Sequence, residues 1–183
     1  VMACAAFPVL AGSALRGDGV EEFMRALRAL VRTDWHTRET GPFRARAYKI
    51  RHDAQGGRLC FFKVLSGAAA VRDEIETPQG PAKLSALSVW HGPRARSVER
   101  AAAGDLCACP GLEGVMPGDT LGEGAARRTA EWSCEPMLTA DVLWDAAVPE
   151  NRVLAALHML EEEESSLQVE TRGNGGGIAV RVM

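Results

Sequence analysis

A nearly unbroken apolar run, Leu59 to Leu65, is interrupted only by Lys63 and ends at Ser66-Gly67. Such a run of aromatic and aliphatic side chains predicts a strand buried on both faces, or a central strand of a small barrel. Ala68 to Val71 and the charged turn Arg72-Asp73-Glu74 follow, so a glycine-turned hairpin is expected at Ser66-Gly67. Upstream, Phe43, Ala45 and Ala47 alternate with Arg44, Arg46 and Tyr48. His52 to Gly57 reads as a turn, Lys83 to Trp90 as a strand, His91 to Arg96 as a loop, and Gly104 to Cys109 as another short strand after a turn. Val115 to Leu121 closes the series. Short strands broken by Gly and Pro turns predict a closed antiparallel barrel from about Pro42 to Gly122, with Phe61 or Phe62 and Val64 facing its core.

The periodicity differs on either side. Val20, Phe23, Met24, Leu27, Leu30 and Val31 recur at helical spacing, with Asp18 and Glu21 placed for a capping box. The short apolar stretch Phe7 to Leu10 reads as a strand before it. A single strand-loop-helix unit cannot bury its own faces. Downstream, Met137 to Trp144 reads as a strand, and Pro149 stands where a first helical residue is favoured. Val153, Leu154, Leu157 and Leu160 form the next helical stripe, and 167–171 and 178–182 read as paired strands. That is β-α-β-β, two-thirds of a ferredoxin-like unit. Polar stretches separate the three grammars. The expected division is 1–33, a linker over 34–41, a barrel over 42–124, a linker over 125–134, and 135–183. The fold class is mixed β and α+β.

Composition adds little. The net charge of −3 gives no global signature for nucleic acid or anionic membrane. Eighteen Arg against three Lys fit a GC-rich coding sequence better than selection for arginine chemistry. Five Cys at irregular spacing make no disulfide framework and are read as reduced thiols. No run approaches the roughly 20 apolar residues that span a bilayer. The N-terminal residues lack a charged signal-peptide region, so a cytoplasmic protein without membrane contact is expected.

Catalytic chemistry is absent from the motifs. A phosphate loop requires Lys followed by Ser or Thr, but Lys49, Lys63 and Lys83 precede Ile50, Val64 and Leu84. Asn-Lys-x-Asp is equally excluded, since Asn151 and Asn174 precede Arg152 and Gly175. No catalytic residue and no metal ligand is assigned. Cys107-Ala-Cys109 reads as strand alternation, and His36, His52, His91 and His158 are scattered. Arg172 to Gly177 reads as a hairpin tip, Glu161 to Glu164 as a solvated face, and Asp119-Thr-Leu-Gly122 as a barrel turn.

The ordered set of segments resembles the middle of an elongation factor G-type translational GTPase. Phe7-Pro8-Val9-Leu10-Ala11-Gly12-Ser13-Ala14 resembles the last GTPase-domain strand with its guanine-recognition loop, and Gly19-Val20 opens the closing helix. Lys63-Val64-Leu65-Ser66-Gly67 with Arg72-Asp73, Ala102-Ala103-Gly104-Asp105 and Pro117-Gly118-Asp119-Thr120-Leu121 resemble the translation-factor β-barrel, domain II. Glu135-Pro136, Leu160 to Glu163 and Ser166 to Val169 resemble the ferredoxin-like third domain, while Glu164-Ser165 departs from its usual Asp-Pro. The resemblance implies a stretch of a longer chain: the end of a GTPase domain, the barrel, and a partial βαββ unit. It implies that Ser13, Ala14 and Leu15 line the guanine. GTP and Mg2+ would serve the intact protein, with no cofactor or nucleotide binding expected of this stretch alone.

The ribosome is the implied partner, with Arg58, Lys63, Arg94 and Arg96 as contacts to ribosomal RNA phosphates. Phe7 to Ala14 and the Val71-Arg72-Asp73 turn are most similar to tetracycline-type ribosomal protection proteins. The alternatives are a translocating elongation factor G paralogue, a release factor 3-like GTPase, and, from another class, a non-catalytic barrel that binds RNA or protein. Residues 1–31 are expected to bury their apolar stripe against the barrel or against a second copy.

Overall fold

The computed structural model describes residues 7–31, 33–53, 55–91, 94–127, 136–164, 166–172 and 177–182, with the His91 side chain outside that set. Two compact units are present, Val1–Asp34 and Trp35–Met183. The first contains helix α1, Val20–Leu30. Its start differs from the expected capping box: Gly19 is the N-cap at φ 74° with no side-chain cap. The Asp18 carboxylate lies 3.5 Å from Arg16 Nε instead. Phe7 to Leu10 forms no strand, and Phe7 and Val9 are exposed. The apolar stripe of α1 is also open within this unit, with Phe23 49%, Met24 57% and Leu27 43% exposed.

The second unit opens with a helical turn, α2, Trp35–Arg38, where a plain linker was expected. The barrel strands follow as β1 Arg44–His52, β2 Arg58–Ser66, β3 Ala68–Ala70, β4 Glu74–Thr77 and β5 Gly80–Lys83. Next come β6 Leu87–His91, β7 Arg94–Val98, β8 Arg100–Ala102, β9 Leu106–Pro110 and β10 Thr120–Gly122. The main antiparallel sheet has the order β10-β1-β2-β9-β6-β7, and β3-β8 and β4-β5 form two separate ribbons beside it. All three pieces enclose one core, with Ala45, Ile50, Phe62, Val64, Ile75, Val89, Cys107 and Leu121 among its side chains. This is the expected translation-factor barrel. Phe62 and Val64 are fully buried inside it, whereas Phe61 faces outward between Tyr48 and Trp90.

Several elements depart from the expected ones. Gly67 (φ 64°) does not turn a hairpin; it carries the chain from β2 into β3, which pairs with β8. A Cβ there would lie 2.5 Å from the Gly41 carbonyl oxygen, so only glycine passes. Residues 84–86 interrupt the strand expected over Lys83 to Trp90. Arg94 and Arg96 lie on strand β7, not in a loop.

The chain ends in β11 Leu138–Asp141, helix α3 Glu150–Glu163, β12 Gln168–Thr171 and β13 Ile178–Val182. Their antiparallel order β11-β13-β12 is that of a partial ferredoxin-like βαββ unit. Pro149 is the N-cap, one residue before the position expected. Part of the second linker, 128–135, and the hairpin tip, 173–176, lie outside the described residues, as do Glu135 and Ser165 of the resemblance. Among the described residues no helix is long and apolar enough to cross a membrane.

Candidate functional site

Strand β1 alternates strictly over its first half. Ala45 and Ala47 point into the core, so Arg44 and Arg46 must point out. A β-bulge between Ala47 and Lys49 then shifts the phase, leaving Tyr48, Lys49 and Arg51 exposed and Ile50 buried. On the neighbouring strand Lys63 is directly opposite Arg46. Like charges in that position repel each other. Neither Arg44, Arg46 nor Lys63 has an ion pair among the described residues. The Lys63 ammonium rests 4.5 Å from the centroid of the Trp35 ring, and the Arg38 guanidinium lies 5.4 Å from the same centroid. Gly104 makes room for that indole, because a Cβ there would come within 2.9 Å of Trp35 Cγ. The result is a cationic patch arranged around one aromatic ring, with Arg46 and Lys63 on one outer face.

Arg94 and Arg96 are exposed on edge strand β7. Three strands separate β7 from β1, so these two form a second cationic group about 19 Å along the sheet. Arg58 does not join either group. Its side chain is 6% exposed and Nε donates to Glu162 Oε2 at 2.8 Å. Nη1 donates to the carbonyls of Leu112 at 2.7 Å and Gly111 at 3.2 Å, and Nη2 donates to that of Val115. With four of its five N–H donors taken and the side chain nearly buried, this guanidinium is closed to a phosphate, which removes Arg58 from the expected set. Arg44 and Arg46, by contrast, are exposed on the outer face of β1. The alternation that puts Ala45 and Ala47 inside was the signal that places them outside.

In the first unit, Ser13, Ala14 and Leu15 form a tight turn. Ser13 N–H donates to Asp18 O at 2.9 Å, and Gly17 N–H to Ser13 O at 2.8 Å. Leu15 is 97% exposed. Among the described residues no backbone carbonyl takes the N–H of Ala14 or Leu15, so both are available to an acceptor such as guanine O6. Gly12 and Gly19 close the base of this turn: a Cβ on Gly12 would lie 2.5 Å from Asp18 O, and one on Gly19 2.5 Å from Ala11 O. Among the described residues no group of three or more His, Cys, Asp or Glu side chains is placed to hold a metal ion.

The remaining candidates are structural. Asp119 is 1% exposed and its Oδ2 accepts the Met116 N–H at 2.9 Å, which fixes a barrel turn. Cys60, Cys107 and Cys109 all face the core. Burial pushes the thiols of Cys60 and Cys107 up to about 12; nearby Arg58 partly opposes this at Cys60, and Asp105 adds to it at Cys107. Burial also raises the Tyr48 phenol. At the exposed end of α3, the Ser166 hydroxyl and N–H hold the Glu164 carboxyl below the usual range.

Residues 42–124 match the protein family described as Elongation factor G domain 2. The chain is similar to an oxytetracycline resistance protein of Streptomyces rimosus, with 28% identity over 96% of this chain and 28% of that protein. It is similar to elongation factor G 1 of Geobacter sulfurreducens, with 30% identity over 92% of this chain and 28% of that protein. A crystal structure from Thermus thermophilus superposes with a TM-score of 0.73 at 23% identity, over 90% of this chain and 26% of that one. The chain thus spans about a quarter of the length of these relatives.

Proposed function

We propose, on the premise that residues 42–124 belong to the elongation factor G domain 2 family, that this chain is the barrel-centred part of a cytoplasmic, ribosome-binding translational GTPase. The observation that carries the reading is the outward cationic pair Arg46 and Lys63, set against each other with Lys63 over the Trp35 ring, and with no acid paired to either among the described residues. An external polyanion relieves that repulsion, and RNA phosphate is one. Arg44, Arg94 and Arg96 extend the contact, and Ala14 and Leu15 offer N–H groups to guanine.

Within the superfamily we favour the tetracycline ribosomal protection type, supported by the likeness to the oxytetracycline resistance protein. The likeness to elongation factor G 1 supports translocation as the alternative. GTP bound with Mg2+ supplies the hydrolysis that drives either action. It requires a phosphate loop, and residues 1–183 carry no such motif. The test is the longer gene. Its product should hydrolyse GTP faster when ribosomes are added, and its expression should raise the tetracycline concentration a sensitive bacterium tolerates. Ribosome-stimulated hydrolysis with unchanged tolerance would move the assignment to the translocase. Ribosome binding without hydrolysis would make the chain a non-catalytic barrel module.

A further inference from the structure

Four glutamates close α3, where the helix dipole disfavours negative charge. A solvated acidic face was expected there, and the structure ties all four to partners beyond the helix end. Glu161 stays within its own unit, accepting from Val169 N–H at 3.1 Å and facing His158 Nδ1 at 3.0 Å. Glu162 and Glu163 instead reach the barrel. Glu162 Oε2 takes Arg58 Nε–H at 2.8 Å and lies 3.3 Å from His52 Nε2. Glu163 Oε1 accepts the His52 backbone N–H at 2.6 Å and lies 3.2 Å from His52 Nδ1. His52 ends β1 and Arg58 begins β2, so the two barrel residues face each other across one strand pair.

We propose that His52 and Arg58 form a polar latch that holds α3, through Glu162 and Glu163, in one orientation on the barrel. Two features argue for a latch over a chance surface contact. The Arg58 side chain is nearly buried, and the only carboxylate bonded to it comes from α3 among the described residues. If α3 moved away, a buried guanidinium would keep its three carbonyls but lose its counter-charge. The His52 N–H at the end of β1 is likewise capped from α3 by Glu163. The latch is independent of the proposed function, since it concerns only how the βαββ unit sits on the barrel.

The test removes the α3 side, because replacing Arg58 would also strip the carbonyls of residues 111–115 of their donor. Spin labels at Glu76→Cys and Ala155→Cys, in a background with Cys4→Ser and Cys134→Ser, report the barrel-to-helix distance by pulsed electron resonance. The otherwise unaltered chain should give one narrow distance. Glu162→Ala with Glu163→Ala should broaden it and raise the displaced population about tenfold or more, while Cys60 stays protected from alkylation. Glu164→Ala, one residue along and bonded to Ser166, should leave the distance unchanged. A broad distance in the parent, an unchanged one in the double variant, or equal broadening by Glu164→Ala overturns the proposal.

Discussion

Phe61 and Phe62 are adjacent and do different work. Phe62 is fully buried in the barrel core. Phe61 packs on the outer face, its ring 5.2 Å from Trp90 and 6.3 Å from Tyr48. Replacing Phe62 by Ala should cost about 3–5 kcal/mol in urea unfolding, and Phe61→Ala measurably less, since part of its surroundings can relax into solvent. The apolar run announced a buried strand but not which ring faced in, because aromatics cover the outside of the sheet as well. Arg58 shows the converse. Its sequence neighbours gave no hint that three carbonyls and a glutamate about a hundred residues away would claim it. Arg72, held at φ 79°, stands where a side chain is strained. Arg72→Gly should therefore be neutral or stabilising by up to about 1 kcal/mol in the same assay, unlike most glycine substitutions in a β protein.

At the scale of elements, the strands with one buried and one exposed face were legible, and those without that contrast were not. Strand β7 is exposed over Arg94 to Ser97, so it carries no alternation to read. Strands β4 and β5 hide because each is four residues long around a Pro-Gln turn. Strand β9 was legible, and it brings Cys107 and Cys109 inside opposite Phe62 and Cys60 of β2. This wall of thiols gives the barrel a pH signature. The Cys60 and Cys107 pKa values rise from 9.0 to about 12 on folding, so the folded state disfavours their thiolates. Their contribution is fully present below pH 9 and is lost as pH climbs towards 12. Each costs about 1.4 kcal/mol per pH unit in that window. Urea unfolding measured from pH 8 to 11 should show stability falling above pH 9. Cys60→Ala with Cys107→Ala should have a shallower slope, whatever its starting stability.

For the whole molecule, the order of three grammars along the chain identified the architecture, because each has a different hydrophobic period. What the order left hidden was how the parts join, since contacts between distant segments leave no period. The clearest case is the end of α3, whose glutamates read as solvent-facing yet fasten the βαββ unit to the barrel. Within the first unit, helix α1 has a half-exposed apolar face. Its half-exposed apolar stripe forfeits several kcal/mol of burial, so the chain should self-associate through it at high concentration. Light scattering should detect a dimer, and Leu27→Asp should return it to monomer; a monomer at all concentrations contradicts this.

The central claim is that the outer face of β1 and β2 meets ribosomal RNA. Cosedimentation of this chain with ribosomes across a salt series tests it most directly. Binding should fall steeply as salt rises, and Arg44→Gln, Arg46→Gln and Lys63→Gln together should lower the log–log slope by roughly 2–3. A chain that does not sediment with ribosomes at low salt, or a triple variant with the parent's affinity and slope, contradicts the account.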